Sequence, residues 1–266
     1  MKKWIYRIGW LACVAVFLFS AIQLVDIARE YREAEDFYAD TAGAFTEQNV
    51  SQETDPAPEA EREEPPITVD FTDILKINED VLGWIYMEDT VVNYPVLQGE
   101  NNFYYLDKTY WKKYLASGSI YLDSANDRLM TDSHSIIYGH NMKNHTMFGD
   151  LSDFRKAEYL QAHPYVDIFL VDGTWLRYEI FSVYKADVNG GTFSVPLNSA
   201  AGMEKLLALS GEKNLHGGSD SKADLPKPDP ASDSVLTLST CTEDSADQYR
   251  FVVQAVLVMK DGKTIK

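Results

Sequence analysis

The sequence predicts a mostly β domain in which about eight strands close into a barrel. Eight short runs rich in β-branched and aromatic residues indicate the strands. They lie at residues 84–86, 91–96, 119–122, 135–138, 165–170, 176–184, 235–239 and 250–258. Turn sequences such as Asp172-Gly173 and Asn189-Gly190-Gly191 separate these runs, where an alternating β/α fold would have regular helices. This combination favours a closed antiparallel barrel over a parallel sheet.

Helices are expected at two places around these strands. A short helix should open the domain, because Asp70 can cap it and apolar residues follow at helical spacing. Its apolar face would consist of Phe71, Ile74, Leu75 and Ile77. A second helix, at about residues 200–210, should lie between the sixth and seventh strands and pack on the barrel. Its apolar stripe would consist of Met203, Leu206, Leu207 and Leu209.

The N-terminal segment has the composition of a membrane span. Residues 8–25 are 18 residues without a charge, and three basic residues precede them within residues 1–7. The positive-inside rule then places residues 1–7 in the cytoplasm and the rest of the chain outside. A cleavable signal peptide is the alternative, which the lack of a clear small-x-small cleavage site disfavours. We therefore predict a single-pass anchor in the cell membrane.

A stalk and a tether are expected between this anchor and the domain. Apolar residues recur at helical spacing among the charges of residues 26–40, which predicts a helical stalk outside the core. Residues 41–66 are acidic and polar, with almost no large apolar side chain. They cannot bury enough surface to offset the entropy of ordering, so we expect an acidic flexible linker. The folded domain should comprise residues 67–266.

The formal net charge of −17 limits the class of partner. A domain this acidic is unsuited to phosphate recognition, so we expect no nucleic-acid partner. Two acidic clusters lack the ligand spacing and glycine of an EF-hand loop, and we interpret them as solvated loop charges rather than metal ligands. They are Asp123, Asp127 and Asp132, and Glu243, Asp244 and Asp247.

Cys241 is the only cysteine outside the N-terminal apolar segment, in which Cys13 lies. A single thiol in an extracytoplasmic domain has no internal disulfide partner. It is therefore either a buried inert thiol or a nucleophile. An unassisted thiol is mostly protonated near neutrality, because its pKa is about 8.5. A nearby imidazolium or guanidinium would favour the reactive thiolate.

Of the five histidines, His140 is the best candidate to accompany this thiol, because it follows an apolar strand and should emerge at the strand end. His134 and His145 are close in sequence and are not excluded by spacing. His163 precedes a proline and His216 lies in a long polar loop, so both look like solvated or turn residues.

Arg250 lies nine residues after Cys241, at the start of a second apolar run. If Cys241 ends one strand and Arg250 opens its antiparallel neighbour, a short loop brings the two side by side. During thiolate attack on a peptide carbonyl, negative charge develops on the carbonyl oxygen. A guanidinium together with backbone N–H groups could stabilise that charge.

Three segments together resemble the signature of the sortases, cysteine transpeptidases that attach proteins to the peptidoglycan of Gram-positive bacteria. The segments are Thr237-Leu238-Ser239-Thr240-Cys241, Arg250-Phe251-Val252-Val253 and Tyr138-Gly139-His140-Asn141. The resemblance covers roughly residues 70–260. It implies an eight-stranded sortase-type β-barrel, a membrane-anchored enzyme that faces the wall, and a catalytic group of Cys241, His140 and Arg250. That chemistry requires no metal and no organic cofactor.

Within this family the chain is most similar to class B, which carries N-terminal helices ahead of the barrel and a helix between the sixth and seventh strands. The predicted helix near Met203 lies where that insert belongs. Class B similarity suggests a sorting motif of the Asn-Pro-x-Thr type. It also implies a set of substrate-binding residues, namely Asn102, Leu106, Tyr138, Ser239 and Thr240.

The resemblance implies that Cys241 attacks the Thr carbonyl of a C-terminal sorting motif and forms a thioester. An amine of the peptidoglycan precursor lipid II, or of a pilin, would then resolve the thioester. The expected partners are secreted proteins that carry the motif and the acceptor that supplies the amine. Two alternatives stay open at this point. One is another wall-active cysteine peptidase, and the other is a non-catalytic cell-surface barrel, a scaffold or adhesin, with an unreactive Cys241.

Overall fold

The eight predicted strands form a closed barrel. The computed structural model describes residues 2–49, 63–197, 199–217, 225–242 and 248–265. The barrel strands are β1 (Val81–Tyr86), β2 (Asn93–Leu97), β3 (Ile120–Leu122), β4 (His134–Tyr138), β5 (Tyr165–Leu170), β6 (Trp175–Asp187), β7 (Val235–Cys241) and β8 (Tyr249–Lys260). Their order around the barrel is β8-β6-β5-β1-β2-β3-β4-β7, and β7 pairs back with β8 to close it.

The barrel is not wholly antiparallel, which corrects the sequence-based expectation. β2 pairs with β3 in parallel, and β4 pairs with β7 in parallel. Parallel neighbours need a long crossover connection, and the chain provides both. Residues 98–119 connect β2 to β3, while β5, β6 and several helices lie between β4 and β7. The parallel β4–β7 pair brings the C-terminal ends of these two strands to the same rim of the barrel.

A single long helix, α1 (Lys2–Phe45), precedes the barrel. Its N-terminal part is long and apolar enough to cross a membrane. None of the 18 residues in its most apolar stretch is buried. Length and composition alone support a membrane span here, and a signal sequence satisfies the same criteria.

The C-terminal part of α1 packs on the barrel, which differs from the predicted stalk. Ala34 and Tyr38 are buried, and the ring of Phe37 lies 5.4 Å from that of Tyr110. This stripe of small and aromatic side chains recurs at helical spacing and gives α1 a face that the barrel covers. The contact makes this part of α1 a component of the folded domain.

The linker also differs from the prediction at both of its ends. Residues 41–45 are the last turn of α1, and the strand Thr46–Gln48 pairs antiparallel with the strand Ile67–Val69. At the other end Glu63 forms a 2.9 Å ion pair with Arg177. Residues 50–62 lie outside the described residues, so for them the prediction of a flexible linker stays a prediction.

In the described part of the chain, three further α-helices and two 3₁₀ helices, Gly149–Arg155 and Gly191–Phe193, surround the barrel. α2 (Thr72–Ile77) begins where Asp70 accepts a 2.8 Å hydrogen bond from the N–H of Thr72. It buries Ile74, whereas Ile77 is exposed. The sequence interpretation missed the 3₁₀ helix Gly149–Arg155 and α3 (Ala157–Ala162), which lie between β4 and β5.

The helix predicted between the sixth and seventh strands is present as α4 (Ala200–Lys213). Ser199 caps it by accepting a hydrogen bond from the N–H of Gly202. Met203 and Leu206 are buried against the barrel, as the apolar stripe predicts.

Apolar side chains fill the inside of the barrel and a second layer outside it. Alternate residues of each strand face the inside, because side chains of a strand alternate between its two faces. The inner cluster includes Ile85, Ile137, Leu238 and Val253. Residues of the other face, such as Trp84, pack against α2 and the end of α1. The two layers hold the strands that end at the rim.

His134 belongs to the buried structure rather than to a reactive site. It is fully buried, and its Nε2 lies 2.8 Å from Oγ1 of Thr237. Its Nδ1 lies 3.3 Å from the carbonyl of Ser194, which can only accept, so Nδ1 donates. Burial lowers the pKa of His134 to about 4. The imidazole is therefore neutral and structural at physiological pH.

The buried His134 should make stability fall as the pH falls from 6.5 to 4. In this window the unfolded chain binds a proton at His134 and the folded chain does not, so protonation favours unfolding. The expected loss at pH 5 relative to pH 7.5 is about 2 kcal/mol. It can be measured by urea unfolding of the wild type and of His134→Gln at both pH values. The half-buried His163→Gln is the control, and an equal pH dependence in His134→Gln and the wild type would contradict this assignment.

Candidate active site

Strands β4, β7 and β8 bring the three predicted catalytic residues to one rim of the barrel. The backbone of Cys241, at the end of β7, lies opposite Arg250 in the antiparallel β7–β8 ladder. This is the pairing predicted from the strand alternation. On the other side of β7, the N–H of Gly139 donates a 3.1 Å hydrogen bond to the carbonyl of Ser239. His140 follows at once, so the end of β4 carries it to the level of Cys241.

Gly139 occupies a position without room for a side chain. A Cβ there would lie 2.7 Å from Cδ2 of Phe148 and would also collide with Ile120. The N–H of Phe148 in turn donates a 3.0 Å hydrogen bond to the carbonyl of His140. The glycine therefore lets the loop after β4 fold closely over the strand end, and this fold fixes the backbone of His140.

The carbonyl of Leu106 orients the half-buried imidazole of His140. Nε2 of His140 lies 2.6 Å from this oxygen. Because a carbonyl oxygen can only accept a hydrogen bond, Nε2 is the protonated nitrogen and donates this hydrogen bond. Nδ1 is consequently the nitrogen that can exchange a proton with a reacting group.

Arg250 places a permanent positive charge beside the end of β7. Its side chain is half-buried, and its Nη1 donates a 2.9 Å hydrogen bond to the carbonyl of Tyr249. Five N–H donors on a rigid plane suit a guanidinium to binding a developing oxyanion. The side chain therefore carries the charge that the predicted oxyanion-stabilising role requires, and the role itself stays a prediction.

Asn102 and Tyr138, two of the predicted substrate-binding residues, are joined through a buried carboxylate. Nδ2 of Asn102 and the hydroxyl of Tyr138 both donate to Oδ2 of Asp123, over 2.8 and 2.9 Å. Burial and the negative charge of Asp123 raise the pKa of Tyr138 well above its ordinary value, while Arg250 acts in the opposite direction. The Tyr138 hydroxyl therefore stays protonated and donates.

The interpretation of Asp123 as a solvated loop charge is wrong, since only 5% of its surface is exposed. A buried carboxylate needs several hydrogen bonds, and the N–H of Ala125 supplies a third, over 2.9 Å. In the same cluster Asp127 is exposed, and Asp132 accepts hydrogen bonds from Asn126 and from the N–H of Asp127. The second acidic cluster, Glu243, Asp244 and Asp247, lies outside the described residues.

A cleft of about 290 Å³ opens at this rim. His140 and Arg250 line it, together with all five predicted substrate-binding residues, Asn102, Leu106, Tyr138, Ser239 and Thr240. Ser239 and Thr240 are buried, and their hydroxyls have no hydrogen-bond partner among the described residues. Because an unsatisfied buried hydroxyl is costly, a ligand that hydrogen-bonds to these groups would gain affinity.

The cleft also contains residues that the sequence interpretation missed, among them Phe103, Tyr121, Val188 and Phe193. Val188 and Phe193 come from the connection between β6 and α4, in which Asn189-Gly190-Gly191 predicted only a turn. The available signal was a pair of large apolar side chains flanking a glycine-rich connection. That pattern does not indicate which surface such a loop covers.

Three other histidines lie away from this cleft. Nδ1 of the exposed His145 is 2.8 Å from Oδ1 of Asp150, and Nδ1 of His163 is 3.0 Å from the carbonyl of Glu88. His216 is buried, with Nε2 2.7 Å from the carbonyl of Phe154. His216 therefore lies in a turn, as one part of its interpretation had it, but it is buried against the 3₁₀ helix Gly149–Arg155 rather than solvated.

The closed barrel, with the backbone of Cys241 at its rim, is that of a β-barrel cysteine transpeptidase. Comparison with known proteins identifies the family, since the family model described as Sortase domain matches residues 85–258. The chain belongs to the sortase family. A cysteine transpeptidase is thereby supported over the two alternatives, a non-catalytic barrel and a different wall-active peptidase.

The relatives are class B sortases. Sortase B of Listeria monocytogenes is 29% identical over 98% of this chain and 99% of its own length. Sortase B of Staphylococcus aureus is 28% identical over 71% of this chain and 75% of its own length.

Solved structures of this class share the fold. Clostridium perfringens sortase B has a TM-score of 0.64 at 33% identity, over 71% of this chain and 100% of its own. Sortase B from B. anthracis in complex with AAEK1 has a TM-score of 0.67 at 28% identity, over 86% of this chain and 98% of its own. The predicted similarity to class B is confirmed.

Proposed function

We propose that this sortase is a membrane-anchored transpeptidase in which Cys241 is the nucleophile, His140 the acid and base, and Arg250 the oxyanion-stabilising residue. The observation that carries the proposal is the strand register at the rim. It sets Cys241 opposite Arg250 and brings the end of β4, with His140, to the same level. Cys241 ends β7, Arg250 lies near the start of β8 and His140 follows β4, and the cleft of about 290 Å³ opens at the same rim.

In the first half of the reaction, the thiolate of Cys241 attacks the carbonyl carbon of the Thr in a sorting motif. The guanidinium of Arg250 stabilises the negative charge on the carbonyl oxygen. His140, protonated on Nδ1 by the proton that the Cys241 thiol gives up, passes this proton to the leaving amine as the C–N bond breaks, and a thioester remains on Cys241. Donation of Nε2–H to Leu106 holds the ring while Nδ1 exchanges this proton.

In the second half, an amine attacks the thioester and gives its proton to His140, now the base. A new amide bond forms, and Cys241 leaves as the thiolate. The net result is exchange of one amide for another, with no change in oxidation state. The acceptor we propose is an amine of the peptidoglycan precursor, with a pilin amine as the alternative.

The cleft lining supports a peptide as the first substrate. Ser239 and Thr240 offer buried hydroxyls, and Tyr138 and Asn102 are held in place by Asp123. Apolar side chains such as Leu106 supply the remaining surface. Similarity to class B favours a motif of the Asn-Pro-x-Thr type. For a relative from Staphylococcus aureus, a structure of sortase B as a substrate complex is known.

The test uses the full chain in detergent micelles, because part of α1 packs on the barrel. Quenched peptides with different sorting motifs are incubated with an amine, and the products are identified by mass spectrometry. We expect cleavage after Thr and a product that carries the amine. A peptide with Val in place of Thr is the matched control. Cleavage at another bond, or hydrolysis alone at saturating amine, would contradict the proposed reaction.

A further inference from the structure

One buried hydroxyl of α1 contacts the barrel close to the cleft. Tyr38 is 4% exposed, and its hydroxyl donates to the carbonyl of Gly118. The hydroxyl oxygen of Tyr38 also lies 3.3 Å from Oγ of Ser119. Burial raises the pKa of Tyr38 well above its ordinary value, so the hydroxyl keeps its proton. Because a buried hydroxyl needs a partner, these contacts fix where α1 docks.

Gly118 and Ser119 in turn hold the segment that contains Leu106. The N–H of Ser119 donates to the carbonyl of Tyr105 over 3.0 Å, and its Oγ donates to the carbonyl of Lys108 over 2.6 Å. Gly118 has a φ of +53°, and a Cβ there would lie 2.7 Å from the carbonyl oxygen of Tyr105 and would collide with that of Leu106. The two backbone segments are thus packed together without space between them.

The Leu106 carbonyl is the group that accepts the hydrogen bond from Nε2 of His140. Contacts therefore run in series from Tyr38, through Gly118 and Ser119, to Leu106 and His140. The hydrogen bond on one ring nitrogen of a histidine determines which tautomer forms and how the ring is oriented. A shift of the 105–108 segment would move this acceptor and release the ring.

We propose that Tyr38 is a positioning residue for His140, acting through the Gly118–Ser119 backbone and the carbonyl of Leu106. The proposal rests on the proposed role of His140 in the reaction. It makes α1 a support of the active site in addition to the proposed anchor. The hydroxyl is the essential part, because the ring of a phenylalanine would keep the packing and lose the contact with Gly118.

The test compares Tyr38→Phe with the wild type, both as full chains in detergent micelles. We expect kcat/KM for a cleaved sorting peptide to fall about tenfold, mainly through kcat. Spectra of ¹⁵N-histidine-labelled protein should show that His140 loses its fixed Nε2–H tautomer. Tyr178→Phe is the matched control, because Tyr178 is an equally buried tyrosine on β6, and it should leave both measurements unchanged. Ser119→Ala, which removes the next contact in the series, should act in the same direction as Tyr38→Phe.

Thermal unfolding separates positioning from loss of fold, since Tyr38→Phe and Tyr178→Phe should melt within a few degrees of each other. An unchanged His140 tautomer in a folded Tyr38→Phe would overturn the proposal, whether or not activity falls. The tautomer measurement needs no substrate. A wild type that cleaves no peptide would therefore contradict the proposed function, while the proposed role of Tyr38 would still be decided by the spectra.

Discussion

Cys241→Ala should abolish peptide cleavage and transfer, with a fall in kcat/KM of at least about a thousandfold. Alanine removes the proposed nucleophile, and no other side chain at the rim is proposed to replace it. Product formation by mass spectrometry measures the loss, and trapping of the acylated enzyme measures the intermediate. The wild type should show the mass of the acyl-enzyme, and the variant should not.

The chain provides a matched control for this experiment in Cys13→Ala. Cys13 lies in the apolar part of α1 and is exposed there, far along the helix from the barrel. This variant should keep full activity and should remain sensitive to thiol alkylation at Cys241. Turnover by Cys241→Ala at the rate of Cys13→Ala would remove the thiol from the mechanism.

His140→Ala should lower kcat by about a hundredfold to ten-thousandfold, the range expected for a general acid and base. Without the imidazole, no group is proposed to protonate the leaving amine or to deprotonate the incoming one. The binding of the peptide should change much less than kcat, because His140 forms one part of a cleft with many other contacts. Steady-state kinetics with one cleaved peptide would separate the two effects.

His145→Ala is the control, since His145 lies five residues further along the same loop and pairs with Asp150 at the surface. It should stay within about twofold of the wild type, as surface substitutions away from a site have small effects. Equal rates for His140→Ala and His145→Ala would assign the proton transfers to a different group.

The strands were predictable because their pattern is local. Alternating β-branched and aromatic residues separated by turn sequences identify each strand without knowledge of its neighbours. The opposition of Cys241 and Arg250 was predictable for the same reason, since two consecutive strands with a short connection pair antiparallel. The parallel pairs were not predictable in this way, because β4 and β7 are far apart in the chain and their pairing depends on the whole barrel.

The prediction of His140 came from its place at the end of an apolar strand, and the resemblance to the sortases supported it. Spacing alone left His134 and His145 open, and only the structure shows that one is buried and that the other pairs with Asp150. The acceptor for its Nε2, the Leu106 carbonyl, is a backbone atom. Backbone acceptors leave no signature in a sequence.

The incorrect expectations about burial share one cause, which is that polar composition was equated with exposure. Asp123 and His216 lie in polar segments, yet each is buried because a specific partner satisfies it. Tyr38 lies among charged residues of α1, yet the barrel covers it. Long-range partners decide such cases, and a local pattern contains no information about them.

The continuity of α1 affects how the enzyme reaches its substrates. On the proposed anchoring, eight residues of unbroken helix separate Val25, the end of the apolar segment, from the buried Ala34, a rise of about 14 Å. A flexible tether would let the cleft occupy a large volume above the bilayer, which would lower its effective concentration at the bilayer surface. A helix docked on the barrel instead keeps the distance between the cleft and the bilayer nearly constant. Substrates held at the bilayer surface would meet it at a high local concentration, whereas proteins already released into the wall would lie beyond its reach.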